Sequence, residues 1–463
     1  MYRQSIPFNT TASGYLVLLV LSYYSFVILG IFALMVVIAT LVNGFKIVQN
    51  RSYRSSSSPT TRKIRKHISQ APLFGYRHNT VYRLASDFLT VQAPLRGEAL
   101  LLACLCLANL IPLVAFYSPY TTNNIYYPNA HFYQIGRYLV DRAAILAVAQ
   151  LPILILFAGR NNPVSFLTGM SFATSMVYHR WIARLVTLQI LIHAIGYSFV
   201  KSYNGGLTKY KALFLKPYFC WGISACILLT FLCFFSLRWF RRHFYEWFVL
   251  THVTFAIVAT IGIFYHIRLL DDDGRYADFT NYVYASITFW CLDKSIRLVR
   301  IIHLNGIQCS STGTVRSLCH TSNILSINIQ LKGKTADKWL QGVDQIHAGS
   351  FVQIWIPRLQ PLSSHPFSVA SIHTDSNGKA HLQLYAQMKK GITQQMLKRT
   401  QHNGKGKCEW SIMVEGFYGN QIELAPFGTS ILVAGGIGIT SSIGYLQDAI
   451  TRGKNAHLIL LLL

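Results

Sequence analysis

Apolar positions fall into two patterns along the chain. Up to about residue 300 they form helix-length runs, at 15–42, 98–117, 142–159, 177–200, 219–237, 247–268 and 281–299. A hydrocarbon core of about 30 Å needs about 20 apolar helical residues to cross. The pattern therefore predicts about seven membrane spans. The run 15–42 is longer than the apolar part of a signal peptide and reads as a retained span. The run 281–299 is the weakest, with Asp293, Lys294 and Arg297 near its end. From about 303 the pattern alternates instead, as in Ile324-Leu325-Ser326-Ile327-Asn328-Ile329 and Phe351-Val352-Gln353-Ile354-Trp355-Ile356. Alternation marks half-buried strands, and Asn377-Gly378 and Asn403-Gly404 supply turns between them. Several short strands of this kind predict an antiparallel barrel. A third pattern closes the chain: an apolar strand at Ser430–Ala434, a glycine turn, a helical stretch at 441–452 and a second apolar strand at 457–463. The expected fold is an α-helical membrane bundle, then a cytosolic antiparallel β-barrel, then the start of an α/β domain.

Composition agrees: 52% of residues are hydrophobic and only 13% charged, against about 25% charged in soluble domains. The net charge of +26 does not imply a nucleic-acid partner, because the Lys and Arg residues gather in loops beside the apolar runs. There they orient the chain in a lipid bilayer, basic loops inside. The loop 43–96 holds the serine run Ser55–Ser58, the cluster Arg62, Lys63, Arg65 and Lys66, and a single acid, Asp87. It is expected in the cytosol as a solvated, basic segment. The N-terminus then lies outside, where Asn9-Thr10-Thr11 would be a usable glycosylation sequon. The predicted outer loop 269–280 carries Asp271, Asp272 and Asp273. One outer loop resists the rule: 201–217 contains Lys201, Lys209, Lys211 and Lys216. The nine cysteines include no CxxC pair, so neither a disulfide framework nor a zinc site is expected.

The candidate chemistry lies in two of the apolar runs. His179 and His193 are fourteen residues apart in one, and His252 and His266 fourteen apart in another. At about 100° and 1.5 Å per residue, fourteen steps return to within about 40° of the same face, about 21 Å along the axis. With the predicted topology the two spans are parallel. His179 and His252 then share the cytosolic level, and His193 and His266 the outer one. Ionisable groups inside a membrane are costly and mark function by default. Neutral imidazoles facing each other at two depths suit two haems held through axial nitrogens. The glycine turn Gly435-Gly436-Ile437-Gly438-Ile439-Thr440 follows a strand and precedes a helix, a setting in which backbone N–H groups approach a pyrophosphate.

These blocks together resemble the fungal ferric reductase transmembrane family, relatives of the NADPH oxidase cytochromes. Asn161-Asn162-Pro163 with Leu167-Thr168-Gly169, leading to His179-Arg180-Trp181, resembles the entry to the first haem helix, and Tyr245-Glu246 with His252 and His266 the second. His365-Pro366-Phe367-Ser368-Val369-Ala370-Ser371 resembles the flavin motif. Glu415-Gly416 with Tyr418-Gly419, then the glycine turn, resembles the join to a nicotinamide domain. The resemblance spans about 98–463 and implies two b-type haems, FAD and NADPH in a ferredoxin-reductase-like arrangement. It assigns His179, His193, His252 and His266 to haem iron. His365, Pro366, Phe367, Ser368, Val369 and Ser371 are assigned to flavin, with Pro366 and Phe367 as a rigid apolar edge against the ring. Lys389, Lys390, Gly391 and Thr393 either cradle the FAD pyrophosphate or form a solvated hairpin end. Gly435, Gly436, Gly438 and Thr440 are assigned to the nicotinamide cofactor. Phe417 stands where the family usually has proline. The sequence ends at Leu463 after one strand–helix–strand unit, where the family continues, so the nicotinamide domain is expected to be cut short.

The expected division is an outer N-terminus at 1–14, a first span at 15–42, a basic loop at 43–96, a haem domain at 97–302, an FAD barrel at 303–427 and a partial nicotinamide domain at 428–463. The resemblance implies electron transfer from cytosolic NADPH to extracellular ferric or cupric chelates, at the plasma membrane and in support of metal uptake. The alternatives are a superoxide-generating NADPH oxidase and a non-catalytic haem membrane protein. No side-chain catalyst is expected, because reducing a metal ion by one electron needs no acid or base.

Overall fold

The computed structural model describes residues 10–52, 63–69, 71–75, 81–83, 90–115, 117, 131–270, 276–306, 311–318, 323–332, 349–360, 363–377, 379–389, 391–402, 407–419, 429–451, 453 and 455–461. Asn9 of the sequon, Ser55–Ser58, Arg62, Asp271–Asp273, Lys390, Asn403-Gly404 and Leu463 lie outside them. The chain divides into two compact units, essentially residues up to Leu292 and residues from Asp293 onward.

The first unit is helical. Its long helices are α1 (Thr10–Ser52), α2 (Arg96–Val114), α3 (His131–Ala158), α5 (Phe172–Ala212), α6 (Pro217–Phe235) and α8 (Tyr245–Arg268). Short helices α4 (Pro163–Thr168) and α7 (Arg238–His243) join them, and β1 (Val81–Arg83) pairs with β2 (Thr90–Gln92) in the basic loop. Six described helices are long and apolar enough to cross a membrane, so this is a multi-pass membrane protein. The seventh expected span does form a helix, α9 (Thr280–Asn305), but it is not among those six. Its second half carries Asp293, Lys294, Arg297 and Arg300. The division between the units falls inside α9, ahead of the expected 302/303 boundary.

Local sequence explains the helix ends. Asn162 caps α4 by accepting from the Val164 N–H at 2.9 Å, Pro163 fills the first turn, and Gly169 ends it at φ 66°. Ser171 then caps α5 by accepting from the Thr174 N–H at 3.1 Å. Asparagine-proline and serine thus turn the chain sharply into the helix that carries His179 and His193. Inward faces pack through Leu151, Leu154, Ile182, Val186 and Ile263. Outward ones such as Leu188, Ile195, Phe199 and Ile257 stay exposed, as lipid contact requires. Helices α6 and α8 approach closely where Gly262 faces Ala225, the small-residue contact that membrane helices favour. A buried polar knot ties α2, α3 and α5: Gln150 and Gln189 each donate to Asn109 Oδ1 at 2.8 Å.

The second unit begins with the latter half of α9 and closes a six-stranded antiparallel barrel, in the order β3-β4-β7-β6-β5-β8. The strands are β3 (Ser311–Ser317), β4 (Ile324–Gln330), β5 (Phe351–Trp355), β6 (His365–Thr374), β7 (Ala380–Gln387) and β8 (Lys407–Tyr418). Alternation works as expected: Leu325, Ile327 and Ile329 of β4 and Leu382 and Leu384 of β7 fill the interior. Met396 of α10 (Ile392–His402) covers it. The end of α9 is pinned to β8, where Asn305 donates to Val414 O and accepts from Val414 N–H, as a neighbouring strand would. Beyond the barrel, β9 (Thr429–Gly435) pairs in parallel with β10 (Asn455–Leu461), linked by α11 (Ile439–Thr451).

Candidate functional site: paired histidines and a flavin strand

The first unit brings the four histidines together in two pairs. The ring centres of His179 and His252 are 6.4 Å apart, and those of His193 and His266 are 6.3 Å apart. An iron held by two imidazoles lies about 2 Å from each nitrogen, and that nitrogen about 1.2 Å from its ring centre, which sets the centres about 6.4 Å apart. Both pairs therefore fit a metal held between them.

The proton positions fit as well. His179 Nδ1 faces Leu154 O at 3.0 Å, His193 Nδ1 faces Val140 O at 2.9 Å, and His266 Nδ1 faces Tyr218 O at 2.9 Å. His252 Nδ1 is 3.2 Å from Ser236 Oγ, whose own hydroxyl donates to Leu232 O. Each Nδ1 thus meets an acceptor and carries the hydrogen. Each Nε2 keeps its lone pair for a ligand. These four oxygens were not foreseen. Three are backbone carbonyls, which any residue offers, and only Ser236, sixteen residues before His252, left a trace in the sequence. Gly222 makes room for the outer pair, since a Cβ there would lie 2.5 Å from His266 Nδ1.

In the second unit the flavin motif forms the first half of β6. Phe367 and Val369 point inward and belong to the barrel core. Strand alternation turns their side chains away from the surface that Pro366 and Ser368 share, so a ligand on that surface would meet Phe367 and Val369 through their backbone. A register shift between Val369 and Ser371 buries Ala370 beside Val369. The extra residue returns Ser371 to the side of Ser368, so both hydroxyls can serve one ligand. His365 is oriented by a residue that sequence reasoning missed, Gln360, whose Oε1 bonds to His365 Nε2. The Gln360 carbonyl in turn accepts from Trp355 Nε1 at 2.9 Å.

At the start of α10, Lys389 is exposed and Gly391 takes φ 109°. The Thr393 hydroxyl accepts from the Lys389 N–H and donates to the Lys389 carbonyl, both at 2.9 Å. The Thr393 hydroxyl is therefore a local cap, engaged by the Lys389 backbone. The Thr440 hydroxyl likewise bonds within its own turn, donating to Ile437 O at 2.8 Å. Gly435 ends β9, and Gly436 and Gly438 form one turn of helix before α11. A Cβ on either Gly436 or Gly438 would meet nothing within 4 Å, so the space above this turn is open to a ligand.

Residues 143–263 match the family described as ferric reductase like transmembrane component, and residues 316–422 match an FAD-binding domain. The first match contains His179, His193 and His252, and the second contains the whole of β6. Fold and site thus define a multi-pass membrane protein with a flavin-binding barrel. The chain is 33% identical over 323 residues to a probable ferric reductase transmembrane component of Candida albicans, covering 70% of this chain and 44% of the relative. A ferric/cupric reductase transmembrane component 1 of the same species is 32% identical, with 70% and 39% covered. Ferric reductase transmembrane component 4 of Saccharomyces cerevisiae is 28% identical over 369 residues, with 79% and 46% covered. In its membrane and flavin regions the chain is similar to ferric reductase transmembrane components. It spans less than half the length of these three relatives.

Proposed function

We propose that this chain carries electrons across the plasma membrane, from cytosolic NADPH to ferric or cupric chelates outside, as a reductase that precedes metal uptake. The observation that carries the reading is the separation of the two ring pairs, 6.4 and 6.3 Å, with every Nδ1 tied to an acceptor. His179 and His252 would hold the inner b-type haem, and His193 and His266 the outer one. His365, Ser368, Ser371 and Lys389 would hold FAD, and the turn Gly435–Gly438 would meet the NADPH pyrophosphate. Bound there, these groups supply the redox chemistry: a hydride donor, a flavin that releases electrons singly, and two iron centres at different depths.

The residues themselves hold, orient and insulate. The Leu154, Val140 and Tyr218 carbonyls fix three imidazoles in the ligating tautomer, and the apolar helix faces keep water from the carrier path. The outward direction rests on the basic loops, inside by the positive-inside rule. Coupling to a metal-uptake system follows from the proposed product, a reduced metal ion released outside the cell.

Extracellular reduction of a ferric chelate by expressing cells, measured with superoxide dismutase present, tests this. The expected outcome is reduction that persists with the dismutase and is lost in His193→Ala. Reduction that the dismutase abolishes would point to superoxide as the product and contradict the proposal.

A further inference from the structure

The segment from the end of α5 to the start of α6 is basic where the positive-inside rule predicts otherwise. Residues 201–217 carry Lys201, Lys209, Lys211 and Lys216 and no acid. They are knitted to the outer histidine pair rather than looping away from it. Helix α5 continues past His193 and breaks at Gly206, where φ is 68°, a conformation that glycine adopts freely. The chain then folds back, and the Tyr210 hydroxyl donates to Ser198 Oγ at 2.9 Å. Lys201 Nζ lies 5.2 Å from the Tyr197 ring centre, which is itself 5.5 Å from the His193 ring. At the far end, Tyr218 supplies the carbonyl that fixes His266. Lys209, Lys211 and Lys216 are exposed, and among the described residues none of the four lysines forms an ion pair. Asp141, the acid of the adjoining helix, is committed to Arg137 at 2.8 Å.

We propose that these lysines form a cationic collar that captures polyanionic ferric chelates beside His193 and His266. The inference rests on the proposed outward orientation and names the substrate class of that site. The chelated iron gains one electron, ferric to ferrous, and the carrier held by His193 and His266 loses one; no proton or ligand is transferred. Such a transfer needs close approach and not a fitted pocket, so exposed lysines suffice. A field of one sign raises the local concentration and encounter rate of an anion by about ten- to a thousandfold, and salt screens it. Ferric carboxylate chelates are anionic and would gain, whereas cationic complexes would be repelled.

The test uses the full chain in nanodiscs of zwitterionic lipid, wild type against K209Q/K211Q/K216Q. Two probes are read: binding of redox-inert gallium(III) citrate, and re-oxidation of the dithionite-reduced protein by ferric citrate or by tris(phenanthroline)cobalt(III). The variant should bind gallium citrate about tenfold more weakly, and ferric citrate should re-oxidise it about tenfold more slowly at low salt. That difference should vanish near ~0.5 M salt, while the cationic cobalt complex reacts as fast or faster. Unchanged gallium citrate binding, or equal slowing by both oxidants, overturns the collar. In parallel nanodiscs that contain an anionic phospholipid, loss of bound anionic lipid by the variant without loss of gallium citrate would assign the lysines to headgroups and overturn it too. A chain that takes up no haem contradicts the proposed function, yet gallium citrate binding still decides the collar.

Discussion

Gly222 decides whether His266 can turn inward. A side chain there would drive a Cβ to within 2.5 Å of Nδ1 and 2.8 Å of Cε1, closer than real contacts allow, and the ring would have to move. Gly222→Ala is expected to lower haem content from two per chain to about one, with the inner-haem spectrum kept; pyridine haemochrome analysis of the purified protein checks this. Asp375 governs the β6–β7 turn. Its carboxylate is held below the ordinary aspartate value by the Lys379 N–H first, then by the His381 ring and the Asn377 N–H. A lowered folded-state pKa contributes stability above the unfolded value and loses it as pH falls through the folded one. The thermal midpoint of wild type should therefore exceed that of Asp375→Asn at neutral pH, and the gap should close below about pH 4. At this scale the sequence was legible only in part. The histidines stood out because a charged-or-neutral ring in an apolar run is rare. That Phe367 and Val369 face the barrel core follows from strand alternation, whereas the side taken by Ser371 depends on one extra residue in β6 that the motif does not reveal. Thr393 and Thr440 each bond a nearby backbone carbonyl at a helix start, and spacing does not reveal that.

At the scale of elements, α9 joins the barrel through a buried ion pair beside the Asn305–Val414 bonds. Arg297 donates to both oxygens of Glu415, at 2.7 and 2.8 Å, and Glu415 is almost fully buried. Removing the arginine leaves a buried carboxylate without its counter-ion. Arg297→Ala should therefore cost about 2–3 kcal/mol, less than a wholly buried pair because the guanidinium is partly exposed. Adding Glu415→Gln should restore part of that loss, as read from thermal unfolding of the full chain. The helix and strand pattern was legible because its periods are 3.6 and 2. The barrel order was not, because β8 closes on both β3 and β5, a pairing between residues far apart in sequence. The seventh expected span, α9, is divided between the two units. Asp293, Lys294, Arg297 and Arg300 make its second half polar, and there Arg297 and Asn305 bond to the barrel strand β8.

For the whole molecule, two units are organised around two different sites: paired histidines in the helical unit and an outward-facing serine surface on a barrel strand in the other. Both were foreshadowed by short motifs, and the family matches at 143–263 and 316–422 fall on the same two regions. What the motifs could not supply is the set of oxygens that hold the imidazoles, since Leu154, Val140 and Tyr218 act through their backbones. The central claim is that the four histidines hold two haems, one per pair. Haem per chain in wild type, His179→Ala and His193→Ala tests it most directly. The account predicts two in wild type and one in each variant, with different absorption bands surviving in the two. Either variant retaining two haems, or wild type holding none, would contradict it.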